Sequence, residues 1–419
     1  MNKSKTLNLQ QSNSSWLERQ LKKQLLKKLA EIKHAHIEII DAEGRFSLGD
    51  SDSSLRVTLQ VHNNGFYRQI AFSGSVGAAE SYMADEWDVD DLTALVRILV
   101  VNRDLLDDME GGSAWLKNAL LNVWHVFNRN TTDGSRKNIA KHYDLGNELF
   151  EHFLDDRLMY SSAIYEHPDE DLNVASERKL RTICEKLELK ATDKVVEIGT
   201  GWGGFAMYAA ENYGCHVTTT TISKEQYDYA SARVKEKGLQ DNITLLLKDY
   251  RDLSGTYDKL VSIEMIEAVG HQFLSTYLNK CNDLLTEEGL GLIQAITIED
   301  FRYEKALKSV DFIKRHIFPG SFIPSVSAIM KSIEKATTLK LVNLEDFGTS
   351  YAYTLRDWRK RFHDNIQTIE SLGYDRRFQR MWDFYLCYCE GGFLERSISD
   401  VHLLLAKPGN RREQLLAIQ

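Results

Sequence analysis

The sequence predicts an α/β protein: a seven-stranded, Rossmann-like sheet domain with a smaller mixed α/β domain on its N-terminal side. Two observations carry that expectation. Between Lys194 and Ile298, strand-like and helix-like runs alternate, which is the rhythm of a parallel sheet with helices on both faces. The β-branched run Val195–Ile198 also ends in Gly199-Thr200-Gly201-Trp202-Gly203-Gly204 and passes straight into helix-like Phe205–Tyr213. Such a strand, glycine turn and helix start lets backbone approach a polar ligand closely, although glycines also end strands for structural reasons alone.

The elements follow in order. Residues 1–14 are polar and read as a loose tail. From Ser15 to His34, Trp16, Leu17, Leu21, Leu25, Leu26, Leu29 and Ile32 recur at helical spacing, with Lys22, Lys23, Lys27 and Lys28 between them. This is either an ordinary surface helix or a cationic amphipathic helix that docks on anionic lipid headgroups. Residues 36–72 alternate and predict short strands in a hairpin-like arrangement. A helix should start near Ala78, with further helices over 92–106 and 114–127. The polar stretch Asn128–Lys137 is the best linker, so the domains are drawn as 1–131, lipid- or membrane-interacting, and 132–419, catalytic.

Beyond the linker, His142–Tyr165 is unusually aromatic and either caps a core or lines a substrate entrance that can stabilise a cation. A helix over 175–187 leads into strands at 194–199, 216–221, 243–247, 259–264 and 290–298, with helices at 205–213, 224–237 and 272–285 between them. Ligands of such sheets bind beyond the carboxyl ends of the strands, at 199–203, 221–226, 249–251 and 264–270 here. Residues 299–325 insert a helix and the proline-bounded IFPGSFIPS, which either lines an apolar tunnel or packs under the sheet. Tyr351, Tyr353 and Trp358, then Trp382, Phe384, Tyr385 and Tyr388, continue the aromatic theme on helices. Strand Asp400–Ala406 should complete the sheet through an antiparallel edge hairpin, and 408–419 form a frayed tail.

Composition narrows the function. A net charge of −9 argues against general nucleic-acid binding. Cys184, Cys215, Cys281, Cys387 and Cys389 stand in no metal-ligand spacing, no metal site is assigned, and reduced cytosolic thiols are expected. No apolar run approaches the ~20 residues of a membrane span, so any work on lipid is done from the membrane surface. The second strand of the sheet ends in HVTTTTIS, without the acid that usually binds a dinucleotide ribose. After the third strand, Asp249 can accept from an adenine amino group and Tyr250 can stack on the purine, with Arg251 beside them. S-adenosylmethionine fits this set better than a nicotinamide cofactor, and Glu197 can orient the site through loop amides or water.

The stretches KHYDLGNELF, MYSSAIY, EIGTGWGGFA, TISKEQ, KDYRDL, EMIEAVGH, QAITI, IFPGSFIPS, FGTSYAYTL and CEGGF occur in this order along the chain. Through them, residues 66–94 and 138–407 resemble the cyclopropane-fatty-acyl-phospholipid synthases and the related mycolic acid cyclopropane synthases and methyltransferases. It implies a class I methyltransferase domain in which the alkene of an acyl chain in a phospholipid attacks the methyl of S-adenosylmethionine. The resulting carbocation then loses a proton to bound bicarbonate and closes to a cyclopropane. An aromatic tunnel keeps water from such a cation.

On this resemblance the bicarbonate cage falls on Ser162, Glu267, Gln294, Ile296 and Tyr351. Ser162 stands where many members carry Cys, and Gln294 where well-known members carry His, which can relay a proton as Gln cannot. Related proteins divert the cation to methyl-branched, methylene or hydroxylated products. Cys389 matches a cysteine marked as an active-site residue, although the mechanism needs no thiolate. Cofactor contacts carried over are Tyr160 and Ser161 at the methionine end, the turn Gly199, Gly201, Trp202 and Gly203, Thr221 and Gln226 at the ribose, and Tyr250 and Arg251 at the adenine. The resemblance further implies a cytoplasmic homodimer held peripherally on the inner face of the membrane. A small-molecule methyltransferase and a non-catalytic lipid-binding protein are the competing readings.

Overall fold

The computed structural model describes residues 16–104 and 145–413. Helix α1 (Trp16–Leu29) precedes a four-stranded sheet in the order β2-β1-β3-β4, with β1 His36–Asp41, β2 Gly44–Gly49, β3 Arg56–Val61 and β4 Trp87–Val89. The hairpin expected within 36–72 is β1–β2, and β3 runs parallel to β1. Residues 65–72 are not strand but the first part of α2 (Gly65–Met83), which is interrupted at Gly74. Phe66, Tyr67 and Ile70 supply the helical spacing there, and the start expected near Ala78 lies inside α2. Helix α3 (Leu92–Val101) is capped by Asp91, whose side chain accepts from the Ala94 amide. The helix expected over 114–127, the linker, the boundary at Thr131 and Lys141–Asp144 of KHYDLGNELF lie outside the described residues.

The apolar stripe of α1 faces protein. Leu25 and Leu29 are buried in the main core, and Lys22 is buried against Asp41 at 2.6 Å and Glu43 at 2.7 Å. The helix therefore covers the small sheet, with Lys23 and Lys27 exposed and Trp16 71% exposed at its start.

The large sheet has the order β10-β11-β9-β8-β5-β6-β7. Helix α4 (Leu172–Lys186) leads into β5 (Lys194–Ile198), α5 (Gly204–Tyr213), β6 (His216–Thr221), α6 (Lys224–Glu236), β7 (Ile243–Leu247), β8 (Tyr257–Ile263), α7 (Leu274–Leu284) and β9 (Leu285–Ile298). After the insertion come α8 (Val326–Ala336), β10 (Lys340–Asp346), α9 (Gly348–Asp364), α10 (Arg376–Leu394) and β11 (Ile398–Ala406). Strands β5 to β9 are parallel, and β11 is antiparallel to both β9 and β10. The expected edge hairpin is replaced by an antiparallel pair whose connection contains α9 and α10.

Those two helices join the lobes. One apolar core runs from Leu25 and Ile37 through Trp87 and Leu95 to Trp358, Trp382 and Phe393. The Cβ of a residue other than glycine at 391 would stand 2.6 Å from Val96, so Gly391 permits the close approach of α10 to α3. Buried polar contacts cross the same seam, Tyr82 to Asp383 at 3.0 Å and Thr93 to Glu390 at 2.9 Å. Among the described residues no helix is long and apolar enough to cross a membrane, and the five cysteines are unpaired.

Candidate active site

A cavity of about 590 Å³ opens at the carboxyl ends of β5, β6, β7 and β8 and continues to the N-terminal lobe. That size is ordinary for a ligand site. Its cofactor end is the glycine turn, where Gly199, Gly201 and Gly203 hold φ of 104°, 51° and 86°. These values favour glycine and let the chain reverse between β5 and α5. Trp202 lines this end, with its indole donating to Asn147 at 2.8 Å. Thr221 donates to Gln226 at 2.9 Å, and both line the cavity. Asp249 is turned to Arg251, which donates through Nε at 2.8 Å and Nη2 at 2.7 Å. Tyr250 sits on the same wall, edge-on to Tyr277.

Glu197 lines the floor and accepts from Thr219 at 2.6 Å, whose hydroxyl lies 2.7 Å from that of Thr200. Two hydroxyls, rather than the loop amides or water expected from the sequence, thus tie it to the turn. Burial raises its carboxyl from 4.5 to about 8.

The opposite wall concentrates buried charge. Glu264, just past β8, holds φ of 48°, a strained setting for a residue with a side chain. Its Oε1 accepts from the Ser162 amide and from Gln294 Nε2, both at 2.8 Å, and its Oε2 from the Tyr351 hydroxyl at 2.7 Å. Gln294 also donates to Asp400 at 2.8 Å, and its Oε1 lies 3.3 Å from His402 Nε2. Lys186 stands 3.0 Å from His402 Nδ1, which makes Nε2 the protonated nitrogen of a neutral ring. Burial and the neighbouring lysines hold that imidazole well below its usual range.

Glu267 accepts from the Ile296 amide at 2.6 Å through Oε1, while its buried Oε2 has no hydrogen-bond partner. Burial, reinforced by Glu264, pushes its carboxyl up to about 8. Asp400 is pushed well above the carboxylate range by burial and by Glu264, to which it is hydrogen-bonded. Burial raises Glu264 as well, but hydrogen bonds from Tyr351 and Ser162 and the charge of Lys179 oppose that rise, whereas Glu264 itself drives Asp400 further up; the proton of the pair therefore belongs on Asp400 and the negative charge on Glu264. Lys179, fully buried, donates to Ser161 at 2.8 Å and faces Glu264, Asp155, Asp400 and Glu197. Desolvation lowers it to about 8 even so.

Glu264, Glu267, Ile296 and Tyr351 line the cavity, whereas Ser162 and Gln294 stand behind them, both fully buried. Tyr160, hydrogen-bonded to Tyr385 at 3.0 Å, joins Tyr351 in an aromatic wall, with Tyr351 stacked on Phe393 at 4.4 Å. Cys389 lines the cavity farther along, its thiol pushed well up by burial. The sequence reading missed Glu264, Asp400, Lys179 and His402 as site residues; position 264 was marked only as a strand end.

The arrangement matches a cationic methyl donor at the turn, an aromatic wall beyond it and acids at the junction. Fold and site together define a class I S-adenosylmethionine-dependent methyltransferase. The family model described as mycolic acid cyclopropane synthetase matches residues 130–403. The chain is 36% identical over 345 residues to a tuberculostearic acid methyltransferase of Mycobacterium tuberculosis, covering 80% of each chain. It is 35% identical over 350 residues to the cyclopropane-fatty-acyl-phospholipid synthase of Escherichia coli K12, covering 83% of this chain and 87% of that one. A solved mycolic acid cyclopropane synthase complexed with SAH and CTAB superposes with a TM-score of 0.60 at 26% identity, covering 65% of this chain and 98% of that one. The chain belongs to the mycolic acid cyclopropane synthetase family and is an S-adenosylmethionine-dependent methyltransferase of the cyclopropane-fatty-acyl-phospholipid synthase type.

Proposed function

We propose that the protein transfers a methylene group from S-adenosylmethionine to the double bond of an unsaturated acyl chain in a membrane phospholipid, forming a cyclopropane. The observation that carries this reading is the continuity of the cavity from the glycine turn to an apolar branch. Leu92, Leu95, Val96 and Leu99 of α3 line that branch opposite Ile313 and Phe384. A long acyl chain fits such a branch, and the aromatic wall at the junction suits a developing cation.

When bound, the co-substrate supplies an electrophilic methyl. Gly199, Gly201, Gly203 and Trp202 would hold its amino-acid end with Tyr160 and Ser161, Thr221 and Gln226 its ribose, and Asp249, Tyr250 and Arg251 its adenine. The bicarbonate implied by the sequence resemblance fits less well. The cage donors Ser162, Gln294 and Tyr351 all point at Glu264, and the Ile296 amide points at Glu267. Gln294 and Ser162 act as positioning residues behind Glu264, and Cys389 as an apolar part of the wall.

Work at a membrane surface is supported at the N-terminal end of the cavity. Arg103, Arg302 and Lys305 line it there, with Arg103 paired to Glu299 at 3.4 Å. Beside them Phe301 is 81% exposed and Val101 44% exposed. Cations beside exposed apolar side chains suit a phospholipid headgroup and its interface. A peripheral, cytoplasmic homodimer completes the proposal, as the resemblance implies.

Incubation with S-adenosylmethionine and vesicles of unsaturated phospholipid tests it. The expected result is acyl chains heavier by one CH2 that resist hydrogenation. A branched or methylene product would place the enzyme with its methyl-transferring relatives, and unchanged acyl chains would refute the proposal.

A further inference from the structure

The donors that should hold a bicarbonate are already spent on a carboxylate of the chain itself. Ser162 N, Gln294 Nε2 and Tyr351 Oη converge on Glu264 at 2.8, 2.8 and 2.7 Å. The residue keeps a face on the cavity while its carboxylate is enclosed. It does so at φ of 48°, a backbone setting that is strained for a residue with a side chain and persists where the surroundings impose it. Asp400, hydrogen-bonded to the same carboxylate, carries its proton on the far side from the cavity wall formed by Glu264 and Tyr351. With the Ile296 amide held by Glu267, none of the five cage residues keeps a backbone or amide donor for a separate small anion.

We infer that Glu264 is the general base of this enzyme and takes the place of bicarbonate. The inference rests on the alkene-alkylation reading above. The alkene π pair forms a bond to the transferred methyl carbon as the methyl C–S bond breaks, and that pair leaves on sulfur. The adjacent carbon is then cationic. Glu264 removes a proton from the new methyl group, and the C–H pair closes the three-membered ring. The proton resides on Glu264 until product leaves and water takes it. A built-in base needs no dissolved anion, and it accounts for Gln294: a neutral donor holding a carboxylate has no proton to relay.

The test compares wild type, Glu264→Gly and Glu264→Gln in buffer purged of carbon dioxide and with added sodium bicarbonate. Glycine relieves the positive φ, and glutamine keeps the shape; melting temperature and S-adenosylmethionine calorimetry establish that both variants fold. Wild-type turnover should be indifferent to bicarbonate, whereas both variants should lose about 10²- to 10⁴-fold. Bicarbonate should restore about tenfold or more in Glu264→Gly, whose cage is emptied, and nothing in Glu264→Gln. Independently of activity, carbon-13 bicarbonate followed by NMR should bind saturably to Glu264→Gly and not to wild type. A wild type that binds bicarbonate, or stalls without it, overturns the inference. If no lipid is alkylated under any condition, the functional reading falls, while the bicarbonate titration still decides what fills the cage.

Discussion

At the cofactor end of the cavity, the contacts that follow β6 and β7 are short in sequence: Thr221 meets Gln226 five positions on, and Arg251 meets Asp249 two positions back. At the carboxylate end they are long: Glu264 meets Ser162 across 102 positions, and Gln294 meets Asp400 across 106. The first end is made of glycine backbone, hydroxyls and one largely buried ion pair, and on the reading proposed above it binds. The second is made of buried, unequally protonated acids held by neutral donors, and on the reading proposed above it moves a proton. Binding needs shape that a local turn can supply, whereas holding one charge among three buried carboxyls needs the whole sheet to be assembled around it.

Breaking each end should therefore give different losses. Glu264→Gln, described above, should strike turnover and leave cofactor affinity alone. Gly199→Ala should do the reverse. At φ of 104° an added Cβ is strained, and it would stand 3.2 Å from Met265 Cγ. A strain of about 1 to 3 kcal/mol predicts roughly a 10- to 100-fold loss of S-adenosylmethionine affinity by calorimetry, with kcat at saturation little changed. Equal loss of affinity in Glu264→Gln would erase the distinction between the two ends.

Glu197 sharpens it, because it belongs to the cofactor end yet is buried like the acids opposite. Its carboxyl rises from 4.5 to about 8 on folding. The native state thus holds a proton that the unfolded chain has already lost, and the stability from this group is full below about pH 4.5 and declines as pH rises to about 8. Glu197→Gln lacks that decline. Urea unfolding at pH 5 and pH 8 should show the variant gaining on wild type as pH rises, by at most about 1.4 kcal/mol per pH unit. A pH-independent difference would mean that Thr219 keeps Glu197 ionised.

The same contrast governs how much was legible in the sequence. The alternation from Lys194 to Ile298 and the glycine turn are local patterns, and strands β5 to β9 fall where those patterns put them. The edge hairpin fails because α9 and α10 intervene between β10 and β11, and residues 65–72 fail because the alternation stops before Gly65, where Phe66, Tyr67 and Ile70 take up helical spacing. Glu264 was visible only as a strand end. Its role depends on Tyr351, Ser162 and Asp400, which approach it only when α9 and β11 close on the sheet. Lys179 reads as one lysine among several on an amphipathic helix until its full burial is known. Likewise α1 has the composition of a membrane-surface helix, but Leu25 and Leu29 are spent on the core.

The smallest effect is expected at Glu267, three residues from Glu264 and in the same wall. The two glutamates differ in what surrounds them: three hydrogen-bond donors stabilise charge on Glu264, whereas Glu267 has the Ile296 amide on one oxygen and nothing on the other. Burial and the charge of Glu264 keep Glu267 a neutral acid near pH 7, with its carboxyl at about 8. A neutral acid and a carboxamide have the same shape, and the glutamine carbonyl can still accept from Ile296 while its amide donates where the acid proton did. Glu267→Gln should therefore keep kcat within about threefold and leave cofactor affinity unchanged at neutral pH, while Glu267→Ala, which strands the buried Ile296 amide, should cost about 1 to 3 kcal/mol of stability. Steady-state kinetics with vesicles, alongside Glu264→Gln, reads the difference directly. Should Glu267→Gln fall as far as Glu264→Gln, the charge sits on Glu267, and the two glutamates exchange roles.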